Sequence, residues 1–396
     1  MQTERVLDKT ADISSIHCSE YEITGEFEQV TVAEAPGRIH YLGEHGEPGA
    51  GLYLSSAVNR TIQVAVSLRR DNSIRFFASN LGERKRTTLV NLKYKREDRW
   101  ANYIKLAIHV FAGLGFFVKG LNFTVGGDIP QQVGLASSTA IEVAAAVALR
   151  SFFKAPLTDK ELLLKLAKGE SDFLGRDGSL VDYLIAFQAK KNHFLLVDEK
   201  SLETLTIKSP FTRYTMLLMD SRVPRMGVDE ELQQRRIDIN RGLEFLIKRK
   251  TGESFRDFAP ADLLESMGDI NEEIRRRSLH VVEENLRVKE AQDALKRGEL
   301  AEFSRIIYHS HESLRDLYEV SCPEIDWLVK RSQEIEGVLA SRMTGPGFGG
   351  CTYTILKGSA LEEYRKRLED YERIFGFHPL VYDFCPAAGA RLVTKG

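Results

Sequence analysis

Apolar and polar residues alternate through two early runs, TIQVAVSLRR and SIRFFAS, and a third run, LNFTVGG, leads into the turn GDIP. Alternation with a period of two puts one set of side chains on each face of a sheet, so these runs predict strands. The period then changes. From Gly134 the chain reads GLASSTAIEVAAAVAL, a turn and two serines followed by an alanine-rich helix. In KELLLKLAKGESDFLG the helical period places Leu163, Leu166, Ala167 and Phe173 on one stripe, with Glu170 in its middle. The second half opens on a buried strand, YTMLLMDSRV, and is mostly helical from Glu230 to about Gln333, broken near TGESFRDFAPADL. Strands return at CTYTILK and PLVYDFCP. The pattern is that of an α/β (α+β) protein without repeats or a flexible linker. A polar stretch within LLVDEKSLETLTIKSPF marks the expected boundary between an N-terminal domain over 1–205 and a C-terminal domain over 206–396.

Composition narrows the function classes. With 396 residues, two or three domains and a large core are available, and 43% hydrophobic with 28% charged residues is ordinary for a folded soluble chain. No run reaches the length of an apolar membrane span. The start, MQTERVLDKTADISS, lacks the apolar core of a signal peptide, so the cytoplasm is the expected location. Fifty-five basic against 57 acidic residues leave a net charge of −2 and no basic stripe for nucleic acid. Arg275 to Arg277, followed by Glu283 and Glu284, reads as a solvated helix face. Cys18, Cys322, Cys351 and Cys385 lack metal-ligand spacing and are expected to be reduced and mostly buried.

Five segments carry candidate chemistry. The helix mouth at Gly134, Leu135, Ala136, Ser137 and Ser138 offers unpaired N–H groups and a positive dipole end, suited to phosphate, although Ser137 or Ser138 could equally be a plain N-cap. Glu170, on an apolar stripe, needs either a basic partner or a magnesium ion. Asp182, in SLVDYLIAFQAKK, is either a first-turn acid favoured by the dipole or a catalytic carboxylate among apolar neighbours. EAPGRIHYLGEHGEPGAGLYLSSAV gathers Arg38, Glu44, His45 and Glu47 in a glycine-rich loop that could bind hydroxyls at a pocket rim. MTGPGFGGCTYTIL formally contains G-x-G-x-x-G at Gly345, Gly347 and Gly350, but a strand rather than a helix follows, which excludes a dinucleotide fingerprint. Its glycines serve a tight turn or a close backbone approach to a loop or phosphate. Walker and protein-kinase motifs are absent.

Together these segments resemble the GHMP family of small-molecule kinases and, within it, the galactokinases. APGRIHYLGEH, GLASSTAIEVA and RMTGPGFGGCT look like the three family motifs in order, and RWANYIK, VDYLIAFQAKKNHFLLVDEKSLE and HSHESLRDLYEVSCPEIDWL look like galactokinase connecting segments. The resemblance implies a two-domain fold with the active site in the interdomain cleft, ATP and a free sugar as substrates, and magnesium. It assigns the phosphates to Gly134 through Ser138 with Gly345 and Gly347, the metal to Ser138 and Glu170, catalysis to Asp182 paired with Arg38, and sugar hydroxyls to Glu44 and His45. The chain departs from the family pattern at Glu47 (usually Asp), Ser179 (usually Gly) and Leu232 (usually Tyr), all on the sugar side. Galactose is therefore the default substrate, with N-acetylgalactosamine, arabinose or a uronic acid as alternatives. A non-catalytic sugar sensor is the rival from another class. A monomer or weak dimer without nucleic-acid or membrane partners is expected.

Overall fold

The computed structural model describes residues 12–24, 29–46, 50–116, 120–131, 133–176, 178–225 and 227–393. Helix α1 (Ile13–Glu20) precedes strands β1 (Thr31–Leu42), β2 (Leu52–Leu68), β3 (Ser73–Ala78) and β4 (Glu83–Thr88). Then come α2 (Ala101–Gly113), β5 (Leu121–Gly127), α3 (Ser137–Phe152), α4 (Asp159–Gly169), α5 (Leu180–Gln188) and the hairpin β6 (His193–Asp198) to β7 (Glu203–Lys208). The second half runs β8 (Tyr214–Asp220), α6 (Val228–Arg249), α7 (Pro260–Leu264), α8 (Glu272–Arg297), α9 (Leu300–Asp316) and α10 (Pro323–Gln333). It ends with β9 (Val338–Thr344), β10 (Cys351–Lys357), α11 (Leu361–Phe375), β11 (Leu380–Phe384), β12 (Pro386–Ala387) and β13 (Arg391–Leu392).

β2 is the spine of a nine-stranded sheet. Its start pairs with β6, its middle with β12 and its far end with β5, while β1 runs antiparallel beside it along most of its length. β13 adds outside β1, and β3 joins β5 in parallel, with β4 at that edge. A second, wholly antiparallel sheet has the order β11-β8-β10-β9. The chain passes between sheets from Lys208 to Tyr214, and positions 205 and 206 lie within β7. β12 and β13 carry its end back to the first sheet.

The alanine-rich sequence of α3 explains its place. Val143, Ala144, Ala145 and Ala146 are fully buried, and small side chains let this helix lie close on β1 and β2 with α2 beside it. Val64, Ala65 and Val66 of β2 are also all buried, because α1 covers the opposite face. There His17 bonds Thr124 and Ser67 at 2.8 and 2.9 Å.

Two expectations are corrected. Arg275 and Arg277 are buried: Arg277 pairs with Asp238 and Glu319, and Arg275 with Glu272, so packing between helices consumes charges that sequence assigns to solvent. All four cysteines are free, but only Cys351 is buried; Cys385 is exposed beside the short returning strand.

α8 ties the halves together. Glu284 accepts from Gly43 N–H at 2.9 Å and Asn285 from Leu52 N–H at 3.0 Å, so a helix of the second half binds backbone of the first. Arg342 of β9, 0% exposed, donates to Ser310 and to Glu284 at 2.9 and 3.4 Å, and Arg287 holds the other Glu284 oxygen at 2.7 Å.

Burial holds His17 and His40 down to about 4, His45 and His280 down to about 3, and lowers His311, so all are neutral in the fold. Burial raises Glu44, Glu142 and Glu170 in the opposite sense. Below the unfolded histidine value of 6.5 the unfolded chain takes up protons that the fold refuses, while the raised carboxylates protonate preferentially in the fold. The five histidines outnumber the three carboxylates by two. Stability should therefore fall as the pH drops from about 6.5 towards 4.5. Urea unfolding at pH 7.5, 6.0 and 5.0 checks this; a flat profile contradicts neutral burial.

Candidate active site

The β1–β2 ladder shifts register between Pro36 and Arg38, with the extra residues on β2; Arg38 pairs with Ala57 and its side chain reaches Asp182 of α5. Asp182 sits in the first turn of α5, where the Ser179 hydroxyl caps the helix by accepting Asp182 N–H at 3.2 Å. Arg38 Nε and Nη2 bind Asp182 Oδ1 and Oδ2 at 2.6 and 3.0 Å, a bidentate pair. Its third nitrogen, Nη1, donates to Gly134 O at 2.6 Å, and its own N–H to Leu135 O at 3.0 Å. Arg38 therefore lies on a strand rather than in the glycine-rich loop, and it joins Asp182 to the mouth of α3.

His40 is a site residue that the sequence reading passed over. Its Nε2 is 3.4 Å from Asp182 Oδ1 and its Nδ1 is 2.7 Å from Ser55 Oγ. An ionised carboxylate only accepts, so the neutral ring carries its hydrogen on Nε2 and accepts from Ser55 on Nδ1. Burial alone would raise the Asp182 pKa, but the Arg38 charge and the His40 N–H overcome it and hold the carboxyl well below the usual carboxylate range.

The mouth of α3 is open in the sense that matters for an anion. The residue before the helix is Ala136, in the left-handed region at φ 54°, and no side chain caps it. Ser137 and Ser138 are the first helical residues, which corrects the plain N-cap alternative. The second and third glycine loops meet here: Gly134 and Gly345 both have positive φ, 80° and 87°, and a Cβ on Gly134 would lie 3.3 Å from Gly345 Cα. The backbone angle favours glycine at both positions, and at Gly134 the approach does so as well. Gly347, at φ 92°, packs so closely on Val320 O that a Cβ would come within 2.4 Å.

Glu44 links the loops. Its Oε1 accepts from Gly345 N–H at 2.6 Å, and Oε2 lies 3.6 Å from Arg342. Burial pushes its pKa up to about 7 against the pull of Arg342 and Arg38. The neighbouring His45, at φ 62°, stacks on Tyr318 with ring centroids 5.0 Å apart. Its buried Nε2 has no hydrogen-bond partner among the described residues. Leu232, on α6, packs partly buried against the cluster that contains Tyr318. Glu47 lies outside the described residues.

Glu170 ends α4 and begins a single π turn over Glu170–Leu174, which re-aims its side chain. The carboxylate is buried, and Arg176 Nε and Nη2 bind its Oε1 at 2.9 and 2.5 Å. Glu142 of α3 lies alongside, bonded by Tyr183, with its Oε1 left without a hydrogen bond among the described residues. Burial and the proximity of Glu170 push Glu142 upward. The two buried carboxylates offer oxygen ligands of the kind a hard divalent cation takes, with the Arg176 guanidinium beside them. Among the described residues no group of three or more His, Cys, Asp or Glu could hold a metal alone.

A cavity of about 710 Å³ opens beside the helix mouth, walled by Trp100, Tyr103, Leu81 and Ile129 and bounded by Ser137 and Arg176. Flat aromatic and aliphatic walls of this size suit a planar base. Sequence reasoning assigned these residues no role; the available signal was the paired aromatics of RWANYIK, next to a segment rich in turn residues.

Sequence comparison agrees with this geometry. The N-terminal GHMP kinase domain matches residues 102–190, the C-terminal GHMP kinase domain residues 291–372, and the galactokinase galactose-binding signature residues 21–68. A relative from Treponema pallidum is 37% identical over 386 residues, 96% of each chain. The galactokinase of Thermotoga maritima is 33% identical over 361 residues, 91% of this chain and 99% of that one. The crystal structure of Lactococcus lactis galactokinase complexed with galactose superposes with a TM-score of 0.88 at 27% identity, covering 96% of this chain and all of that one. Mevalonate kinase of Methanococcus jannaschii shares the fold, with a TM-score of 0.66 at 17% identity over 92% of this chain and 99% of that one. Two sheets, an uncapped helix mouth and two touching glycine loops thus define a GHMP kinase, a small-molecule phosphotransferase. Within that class the chain belongs to the galactokinase family, phosphotransferases that act on a sugar hydroxyl with ATP as the phosphoryl donor.

The Arg38 to Asp182 pair sets a stability test. Arg38→Met leaves a buried carboxylate without its cation and should cost about 3 to 5 kcal/mol at pH 7. Adding Asp182→Asn should restore more than half of that loss, because it removes the stranded charge. Urea unfolding of the single and double variants decides; strictly additive losses contradict the pairing.

Proposed function

We propose that this chain transfers the γ-phosphoryl group of ATP to the anomeric hydroxyl of galactose, giving galactose 1-phosphate and ADP. The observation that carries the reading is the position of Asp182: ionised, gripped by Arg38, and joined through the same guanidinium to Gly134 at the helix mouth. The sugar lies against Asp182, Glu44 and His45, and Ser179 serves it by capping and aiming the helix of Asp182. Leu232 bounds the sugar on its outer side, and the sugar-side role of Glu47 rests on its place in the first motif. The adenine base fills the aromatic cavity, and the phosphates run across Gly134 to Ser138 with Gly345 and Gly347 on the facing loop. Ser138 and Glu170 hold magnesium, which neutralises phosphate charge when bound.

Charge placement explains the chemistry. Phosphoryl transfer needs alignment and compensation of charge more than covalent help. Asp182 orients the hydroxyl by accepting its hydrogen bond. Its depressed pKa makes it a weak acceptor for the ground-state proton, so the proton crosses late, as the oxygen–phosphorus bond forms and the hydroxyl turns acidic. Arg38 steadies the carboxylate throughout, and His40 keeps the ring-facing oxygen occupied, which leaves the bidentate geometry fixed. Glu44, poised near neutrality, binds a sugar hydroxyl as acceptor or donor. The enzyme works in the cytoplasm as a monomer or weak dimer; free thiols and the absence, among the described residues, of a helix long and apolar enough to cross a membrane support the location.

ADP release with ATP, magnesium and a panel of free sugars tests the reading. Galactose should give the highest kcat/KM; turnover of another sugar alone redirects the substrate, and no turnover with any sugar removes the enzyme. Asp182→Asn keeps the shape but loses charge and acceptor strength, and should lower kcat by about 100- to 10,000-fold while nucleotide affinity stays within a few-fold. Near wild-type kcat in that variant would reduce Asp182 to a helix-terminal charge.

A further inference from the structure

Arg176 stands where no motif assigns a residue. It follows the π turn and binds Glu170 Oε1 twice, through Nε and Nη2, while Nη2 also lies 3.6 Å from Glu142 Oε1. An arginine that only balanced two buried acids would be buried with them. Here the acids are 0% and 4% exposed in their side chains and the arginine 46%. Its guanidinium lies over the Tyr103 ring at 5.4 Å and forms part of the wall of the 710 Å³ cavity, across from Ser137 at the start of α3. Nη1 makes no hydrogen bond among the described residues. The side chain, which lines the cavity, is thus anchored along one edge by a carboxylate, supported on one face by an aromatic ring, and left with N–H groups that make no hydrogen bond among the described residues.

We propose that Arg176 is a ligand of the nucleotide's diphosphate portion, an inference that rests on the ATP reading above. The segment between a base on the Tyr103 wall and a terminal phosphate at the mouth of α3 must pass this guanidinium. A planar fork with unused N–H groups matches two phosphate oxygens, and its anchoring on Glu170 lowers the entropy lost on binding. The same cation then faces carboxylate on one edge and phosphate on the other, so that the two anions approach each other without direct repulsion. Arg176 is in this sense a binding residue for the donor, acting before any bond is made or broken.

The test is equilibrium binding of adenosine, ADP and ATP by titration calorimetry, in magnesium-free buffer, to wild type, Arg176→Gln and Arg176→Lys. A charge-assisted phosphate contact corresponds to about a 10- to 100-fold affinity change. Arg176→Gln should lose that factor for ADP and ATP alike and leave adenosine unchanged; Arg176→Lys, which keeps the charge but not the fork, should lose a few-fold. Unchanged adenosine affinity shows that the cavity is intact, so a folding defect cannot imitate the result. Should the glutamine variant not fold, the lysine variant, which retains a cation against Glu170, carries the comparison. Equal losses for all three ligands, no loss for any, or a loss confined to ATP would each overturn the proposal while leaving the kinase reading in place. Failure of wild type to bind ADP or ATP overturns both.

Discussion

The structure depends on a guanidinium that has no access to water. Arg342, on β9 of the second sheet, is surrounded by Glu284, Ser310 and Glu44, and its position makes sense only when elements from both halves are present at once. A lone buried charge of this kind would be prohibitive. Here it is shared among carboxylates that in turn hold backbone: Glu284 takes Gly43 N–H and Glu44 takes Gly345 N–H. The halves are therefore joined by charge balance as much as by apolar contact, and the joint runs directly beneath the candidate site. Removing any member strands another.

That joint explains how carboxylates so close in space acquire opposite characters. Burial raises both Asp182 and Glu44. Asp182 receives a bidentate arginine and an imidazole N–H and stays ionised; Glu44 shares a more distant Arg342 and sits near neutrality. One is fixed as an acceptor and the other remains able to accept or donate. Environment, not residue type, divides the roles. Glu170 and Glu142 repeat the theme on the donor side, where a single arginine serves two buried acids and leaves room for further positive charge.

The glycine loops show a second constraint, that of close approach. Gly134 belongs to the first half and Gly345 to the second, 211 positions apart in the chain, yet both adopt backbone angles that favour glycine, and a Cβ on Gly134 would crowd Gly345. Their contact brings the uncapped start of α3 against the turn between β9 and β10. A helix end left without a side-chain cap costs stability unless something else satisfies its N–H groups, and this one opens beside the aromatic cavity. The uncapped end is where the proposed phosphates would lie.

Local pattern in the sequence determined much of this. Periodicity located the strands of LNFTVGG, YTMLLMDSRV and CTYTILK and the helix after Ser137, because side-chain period is a property of neighbouring residues. The strand after the Gly345 loop excluded a dinucleotide fingerprint for the same reason, and an acid on an apolar stripe marked Glu170 as needing a partner. What sequence could not supply was the identity of partners brought from far along the chain. Arg275 and Arg277 read as solvated, yet both are buried, Arg277 against Asp238 of α6 and Glu319 beyond α9, Arg275 against Glu272 of its own helix. His40 read as one more residue of a strand until a bulge and α5 placed Asp182 beside it, and Trp100 and Tyr103 became a cavity wall only when α2 met β5 and α3. Periodicity reports which face of an element is buried; only tertiary packing decides what that face touches, and electrostatics at contact distance then decides each group's charge.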